Sequence, residues 1–159
     1  MNAISLSRLL TAGALALTIH TAFAADTEPS PAAADKLGPA RAQIAAKQWR
    51  GAIDELKRIN DVGSADWNNL MGYSLRKAKT PDYEGAEKYY NDALRIDPRH
   101  RGALEYSGEL YLIKGDLAKA EERLQALDKA CRLPCDEYTD LKKAVQAYKS
   151  NGNKYVAAT

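Results

Sequence analysis

Between residues 36 and 149, apolar side chains recur three and four positions apart, with polar residues between them. In 83–94 the apolar set is Tyr83, Ala86, Tyr90, Ala93 and Leu94. In 138–148 Tyr138, Leu141, Val145 and Tyr148 form one stripe, with Lys142, Lys143 and Lys149 off it. In 103–113 Leu104, Tyr106, Leu110, Tyr111 and Ile113 make a wider apolar face, which predicts a well-buried helix. Strand signals are lacking: the chain has one phenylalanine and few β-branched runs, and it is rich in Ala, Leu, Lys and Glu.

Turn chemistry divides this segment into seven predicted helices. Asn60-Asp61-Val62-Gly63-Ser64 ends one helix and offers Ser64 as the next N-cap. Thr80-Pro81 reads as a cap followed by proline at the first helical position. Asp97-Pro98 interrupts again, Gly115-Asp116 makes a tight turn with Asp116 as cap, and Leu133-Pro134 stops the sixth helix.

A longer period lies over the helical one. Ala52, Ala86 and Ala120 are 34 residues apart. Trp49, Tyr83 and Leu117 precede them by three, Leu56, Tyr90 and Leu124 follow by four, and Ile59, Ala93 and Leu127 follow by seven. This period is the signature of stacked helical hairpins, which usually bind partners and seldom do chemistry. Helix axes packed about 8–10 Å apart need small side chains at the crossing, with a large one beside them.

On these residues the chain resembles the tetratricopeptide repeat family. The middle unit matches its pattern at Gly72, Tyr83, Ala86, Tyr90, Ala93 and Pro98. The third matches at Gly108, Tyr111, Gly115, Ala120 and Leu124, and the first, more weakly, at Ala40, Ala52 and Leu56. The resemblance implies an all-α solenoid of about three hairpins, in units near 36–65, 66–99 and 100–133, closed by a capping helix over 136–149. Its packing positions would be Ala52, Gly72, Ala86, Tyr90, Ala93, Gly108 and Ala120. Gly72 to Ala86 spans two residues more than Gly108 to Ala120, so the middle turn carries an insertion near Thr80-Pro81.

The ends read differently. Arg8 is the only charge before Asp26; an apolar run from Leu9 to Ile19 follows it, and Ala22-Phe23-Ala24 has the small-x-small form of a cleavage site. Residues 1–24 are thus expected to be a secretory signal peptide, cleaved after Ala24. Residues 25–35, with two prolines, are expected to be a disordered leader, and 150–159 a flexible tail. These segments predict an exported protein of the bacterial periplasm with no membrane span once the signal is removed.

Removing Arg8 leaves 22 basic against 21 acidic side chains. That balance gives no support for nucleic-acid binding. Cys131 and Cys135 are the only cysteines, and export puts them in an oxidising compartment. A disulfide that pins the cap to the sixth helix is expected. A thiol-redox pair is the lesser alternative, since the spacing is not Cys-x-x-Cys. His100 is the only histidine outside the signal, too few to complete a Cys/His metal set, and it reads as a solvated loop residue. Neither a nucleophile elbow nor a phosphate-binding glycine loop is present. The expectation is a protein without enzymatic activity, cofactor or metal.

The family resemblance places partner binding on the first helix of each unit. Aligned on Gly72 and Gly108, the inner positions are Asn69, Tyr73, Arg76 and Lys77, then Glu105, Glu109, Leu112 and Ile113, with Arg41 and Ile44 in the first unit. Asn69 could bond a peptide backbone in both directions, Tyr73 could anchor a side chain, Arg76 and Lys77 could meet a carboxylate, and Glu105 and Glu109 a basic residue. The expected function is a scaffold or adaptor docking a protein or peptide in this groove. The alternative is an assembly factor or accessory subunit of a periplasmic enzyme or envelope complex, using an outer face.

Overall fold

The structure, a computed structural model, describes residues 35–133 and 135–155. The expected signal over 1–24, residues 25–34 of the expected leader, Pro134 and residues 156–159 lie outside the described residues. Seven helices follow in order: α1 (Gly38–Ala45), α2 (Trp49–Ile59), α3 (Ala65–Lys77), α4 (Tyr83–Ile96), α5 (Arg101–Ile113), α6 (Leu117–Ala130) and α7 (Asp136–Ser150). No strand occurs among the described residues. The fold is all-α: three helical hairpins, α1/α2, α3/α4 and α5/α6, closed by α7.

The turns inside the hairpins span 46–48, 78–82 and 114–116, so the middle one is two residues longer. The Ser64 hydroxyl accepts from the Trp67 N–H at 3.2 Å, and the Asp116 carboxylate from the Lys119 N–H at 3.1 Å. Thr80 is not the cap of α4. Asp82 takes that place, accepting from the Gly85 N–H at 2.8 Å, because the inserted residues carry the chain past Pro81 before the helix begins. α6 ends at Ala130, ahead of Leu133-Pro134, where Cys131 turns extended to meet Cys135. Asp35 is part of the fold rather than of a leader: its carboxylate accepts from the Leu37 N–H at 3.0 Å and pairs with Arg41.

The odd helices pack in sequence, α1 on α3, α3 on α5 and α5 on α7. Among the described residues no even helix packs its backbone against another. The stack therefore curves toward the odd helices, which form its inner face. Between the layers lie the core side chains: Leu37, Ala40, Leu56, Trp67 and Met71 at the first end, Ala86, Tyr90 and Leu110 in the middle, and Leu104, Leu112, Leu127, Leu141, Val145 and Tyr148 at the last.

The repeat alanines Ala52, Ala86, Ala93 and Ala120 have no exposed surface, as the crossing geometry requires. A Cβ on Gly72 would sit 2.8 Å from the Tyr90 ring and 3.0 Å from the Ala86 carbonyl, so this glycine lets α3 and α4 close. Gly108 has another use. A Cβ there would lie 2.6 Å from Leu141 of α7, so its absence serves the closing helix rather than its own hairpin. Cys131 and Cys135, with Cα atoms 6.0 Å apart, form a disulfide between the end of α6 and the start of α7.

Candidate functional site

The inner face of α3 and α5 brings most of the expected groove residues together, but in a different register from the sequence alignment. Glycine alignment makes positions 36 apart equivalent. The contacts run between residues 33 apart: the Tyr73 and Tyr106 rings lie 4.6 Å apart, Arg76 meets Glu109, and Asn69 packs against Gly102. Neighbouring odd helices are thus offset by about one turn, since the axes cross rather than lie in step.

Aromatic rings build the floor. Trp49, at the start of α2, meets Tyr73 edge-on at 5.9 Å, Tyr73 meets Tyr106, and Tyr106 lies 6.5 Å from Tyr90. The Arg76 guanidinium sits 5.5 Å from both the Tyr73 and Tyr106 centroids, within cation–π range. Its Nη1 donates to Glu109 at 2.6 Å. Arg76 is only 6% exposed. Burial disfavours its charge, but Tyr90 and then the Glu109 carboxylate favour it, and the guanidinium stays protonated.

This pairing changes the roles of two expected residues. Arg76 Nη1 and Glu109 pair with each other instead of waiting for a peptide carboxylate and a basic residue, while Arg76 Nε has no partner among the described residues. Leu112 is not an inner-face residue at all: it is 1% exposed and packed with Leu141 and Val145. Each position equivalent to Arg76 is covered by the next odd helix, α5 over Arg76 and α7 over Leu112. Asn69 is buried, and its side-chain carbonyl has no partner among the described residues. Lys77 stands exposed on the rim, Tyr73 is half-buried, and Ile113 lines a hollow with Lys77, Pro81 and Tyr83.

Glu105 differs from its neighbour one turn on. It is 9% exposed and, among the described residues, makes no hydrogen bond or ion pair. Burial first, and then Glu109, Asp140 and Glu137, push its carboxyl up to about 8. It lines a hollow of about 260 Å³ together with Tyr73, Arg76, Lys77, Tyr106, Glu109 and Tyr155. Tyr155 belongs to the segment expected to be a flexible tail. It folds back to line both this hollow and the one at Ile113. The turn that brings it there uses positive φ at Gly152 and Asn153, and the Asn153 N–H donates to the Tyr148 carbonyl at 2.9 Å.

His100 is not a solvated loop residue. Its Nδ1 accepts from the Ala103 N–H at 3.1 Å and so caps α5. That fixes the proton on Nε2, which donates to Asp66 at 2.9 Å. Asp66 also accepts from Arg41 at 3.2 Å, tying α1, α3 and α5 along one seam. The seam borders an open cleft of about 650 Å³ that runs past Arg99, Arg101, Arg132, Leu133 and the disulfide.

Sequence reasoning missed Trp49, Tyr106 and Tyr155 as parts of the inner face. Trp49 was visible as a repeat position and Tyr106 as part of an apolar face, but the one-turn offset that places them in the groove has no signal in a single unit. No protein-family model matches the chain, and no curated protein matches it.

Proposed function

We propose that this chain is an exported repeat scaffold of the tetratricopeptide type, working in a bacterial periplasm without enzymatic activity. It docks an extended segment of a partner protein along the inner face of α3 and α5. The observation that carries this reading is the aromatic row Trp49–Tyr73–Tyr106, beside polar atoms of Asn69, Arg76 and Glu105 that have no partner among the described residues. Rings with polar tips are frequent interface anchors, and unpaired buried polar atoms gain most from an incoming backbone or side chain. The test is a photo-crosslinking amino acid at Lys77, on the groove rim, compared with one at Lys88 on α4, in the native envelope. A discrete partner band is expected from Lys77 alone, and Tyr73→Ala should remove it while circular dichroism stays helical. Crosslinks confined to Lys88, or a Lys77 band indifferent to Tyr73→Ala, would overturn the groove assignment.

A second reading has its own observation. Val62, Ile96 and Leu133, the exposed large apolar side chains among the described residues, all lie at or just after the C-terminal ends of the even helices. Leu133 is 80% exposed. An accessory subunit could dock along this edge, next to the 650 Å³ cleft, and a crosslinker at Leu133 would then capture the partner in place of one at Lys77.

A further inference from the structure

Glu105 and Glu109 project from the same helix one turn apart, and only one of them is neutralised. Glu109 receives the Arg76 guanidinium at 2.6 Å. Glu105 is nine-tenths buried, lacks any partner among the described residues, and opens into the hollow of about 260 Å³. A carboxylate largely shielded from water and without a partner is costly to hold charged, and a cation entering the hollow would offset that cost. The surrounding charge favours one. Facing Glu105 are Glu109 and Tyr106 on its own helix, Arg76, Tyr73 and the rim residue Lys77 from α3, Glu137 and Asp140 from α7, and Tyr155 from the returning tail. Arg76 is engaged by Glu109, Arg101 pairs with Glu137 at 3.4 Å and Lys143 with Asp140 at 3.3 Å, so Glu105 is the one carboxylate of this group that has no cation among the described residues.

We propose that this hollow is a subsite for one cationic side chain, lysine or arginine, of the docked partner segment. Its charged head pairs with Glu105, and its methylene stem lies against the Tyr73 and Tyr106 rings. The rings, which hold the Arg76 guanidinium at 5.5 Å, also line the hollow that Glu105 opens into, where a second cation would lie within their reach. The proposal rests on the groove reading above and names the chemistry of the partner. It also makes binding pH-dependent: a cation binds the ionised carboxyl, so occupancy rises with pH until Glu105 has lost its proton, near 8.

The probe is a capped glycine–serine peptide with one central lysine, compared with the same peptide carrying uncharged norleucine. Binding is read from the Tyr73 and Tyr106 resonances in the full chain. At pH 9 the lysine peptide should shift both rings and the norleucine peptide neither. At pH 6 the lysine effect should weaken at least tenfold. Glu105→Gln, which keeps the shape and removes the charge, should weaken it at least tenfold at pH 9. Lys77→Ala, which removes the competing cation, should strengthen it about twofold. Equal shifts from both peptides, shifts from neither, or a lysine effect that survives Glu105→Gln would each overturn the subsite. The Lys77 crosslink separates this failure from failure of the groove. If the crosslink persists in Glu105→Gln while lysine selectivity is absent, the groove stands and the cation subsite falls.

Discussion

The seam at His100 and the inner face at Glu105 both set polar and charged groups between odd helices, the seam near solvent and the inner face largely buried, yet they treat them in opposite ways. In the seam each polar group is matched: His100 caps α5 with one nitrogen and meets Asp66 with the other, and Asp66 is shared with Arg41. On the inner face Arg76 Nε, the Asn69 side-chain carbonyl, the Tyr90 hydroxyl and the Glu105 carboxylate have no partner among the described residues. A matched network explains itself as structure. An unmatched one, beside half-buried rings, is not explained by the fold alone, and the proposed groove rests on it.

The sharpest way to break this contrast is to unpair the inner charge that is paired. Arg76→Ala removes a buried guanidinium and strands Glu109 beside Glu105. Breaking a buried pair in this way should cost about 3–5 kcal/mol, measured by urea unfolding. Arg76→Met together with Glu109→Leu should recover most of that loss, since apolar side chains of similar volume need no partner. If the single and double variants prove equally unstable, the pair matters for packing and not for charge. Next in size is the disulfide, which lies beyond both regions. Reducing Cys131–Cys135 opens a very small ring and should cost about 2 kcal/mol, read as a lower denaturation midpoint with the helical signal retained.

Much of the fold was legible in the chain. Ala52, Ala86 and Ala120 had to be small at helix crossings, and the extra spacing between Gly72 and Ala86 became the longer turn at 78–82. Local signals sufficed there because caps and crossings are decided within one hairpin. The groove was read only in part, because its contacts form between hairpins. Tyr73 and Glu105 were legible as inner residues, but Arg76 and Glu109 could be recognised as partners only once the one-turn offset of α3 and α5 was known. Leu112 failed for the same reason: its burial depends on the next odd helix, α7, which covers it as α5 covers Arg76. His100 read as solvated because Asp66, which it meets, lies 34 residues earlier, in another unit.

The two regions should also respond to pH with opposite sign. The hydrogen bond from His100 holds the Asp66 carboxyl below its usual range. Its stabilising contribution is present above pH 3.8 and is lost as pH falls through the lowered value. Glu105 is raised from 4.5 to about 8, so the stability linked to its proton is full below 4.5 and is lost as pH rises to about 8. Glu105→Gln should therefore gain about 1–2 kcal/mol at pH 8 and almost nothing at pH 4.5, in thermal melts at the two pH values. A uniform gain would show that the glutamine packs better, with no link to charge.

The smallest expected effect tests whether the seam is as fully matched as its geometry implies. His100→Ala removes both the cap on the Ala103 N–H and the contact with Asp66, and should cost about 1 kcal/mol, mostly from the cap. His100→Asn keeps a side chain that caps well but is too short to reach Asp66. It should recover nearly all of the loss, because Asp66 is largely exposed and an exposed polar contact contributes only about 0–1 kcal/mol. Chemical denaturation of the two variants separates the terms. If His100→Asn is no more stable than His100→Ala, the Asp66 contact is the main tie between α3 and α5 at the seam. The seam would then resemble the inner face more closely than its saturated hydrogen bonds suggest, with its stability resting on one bond between units.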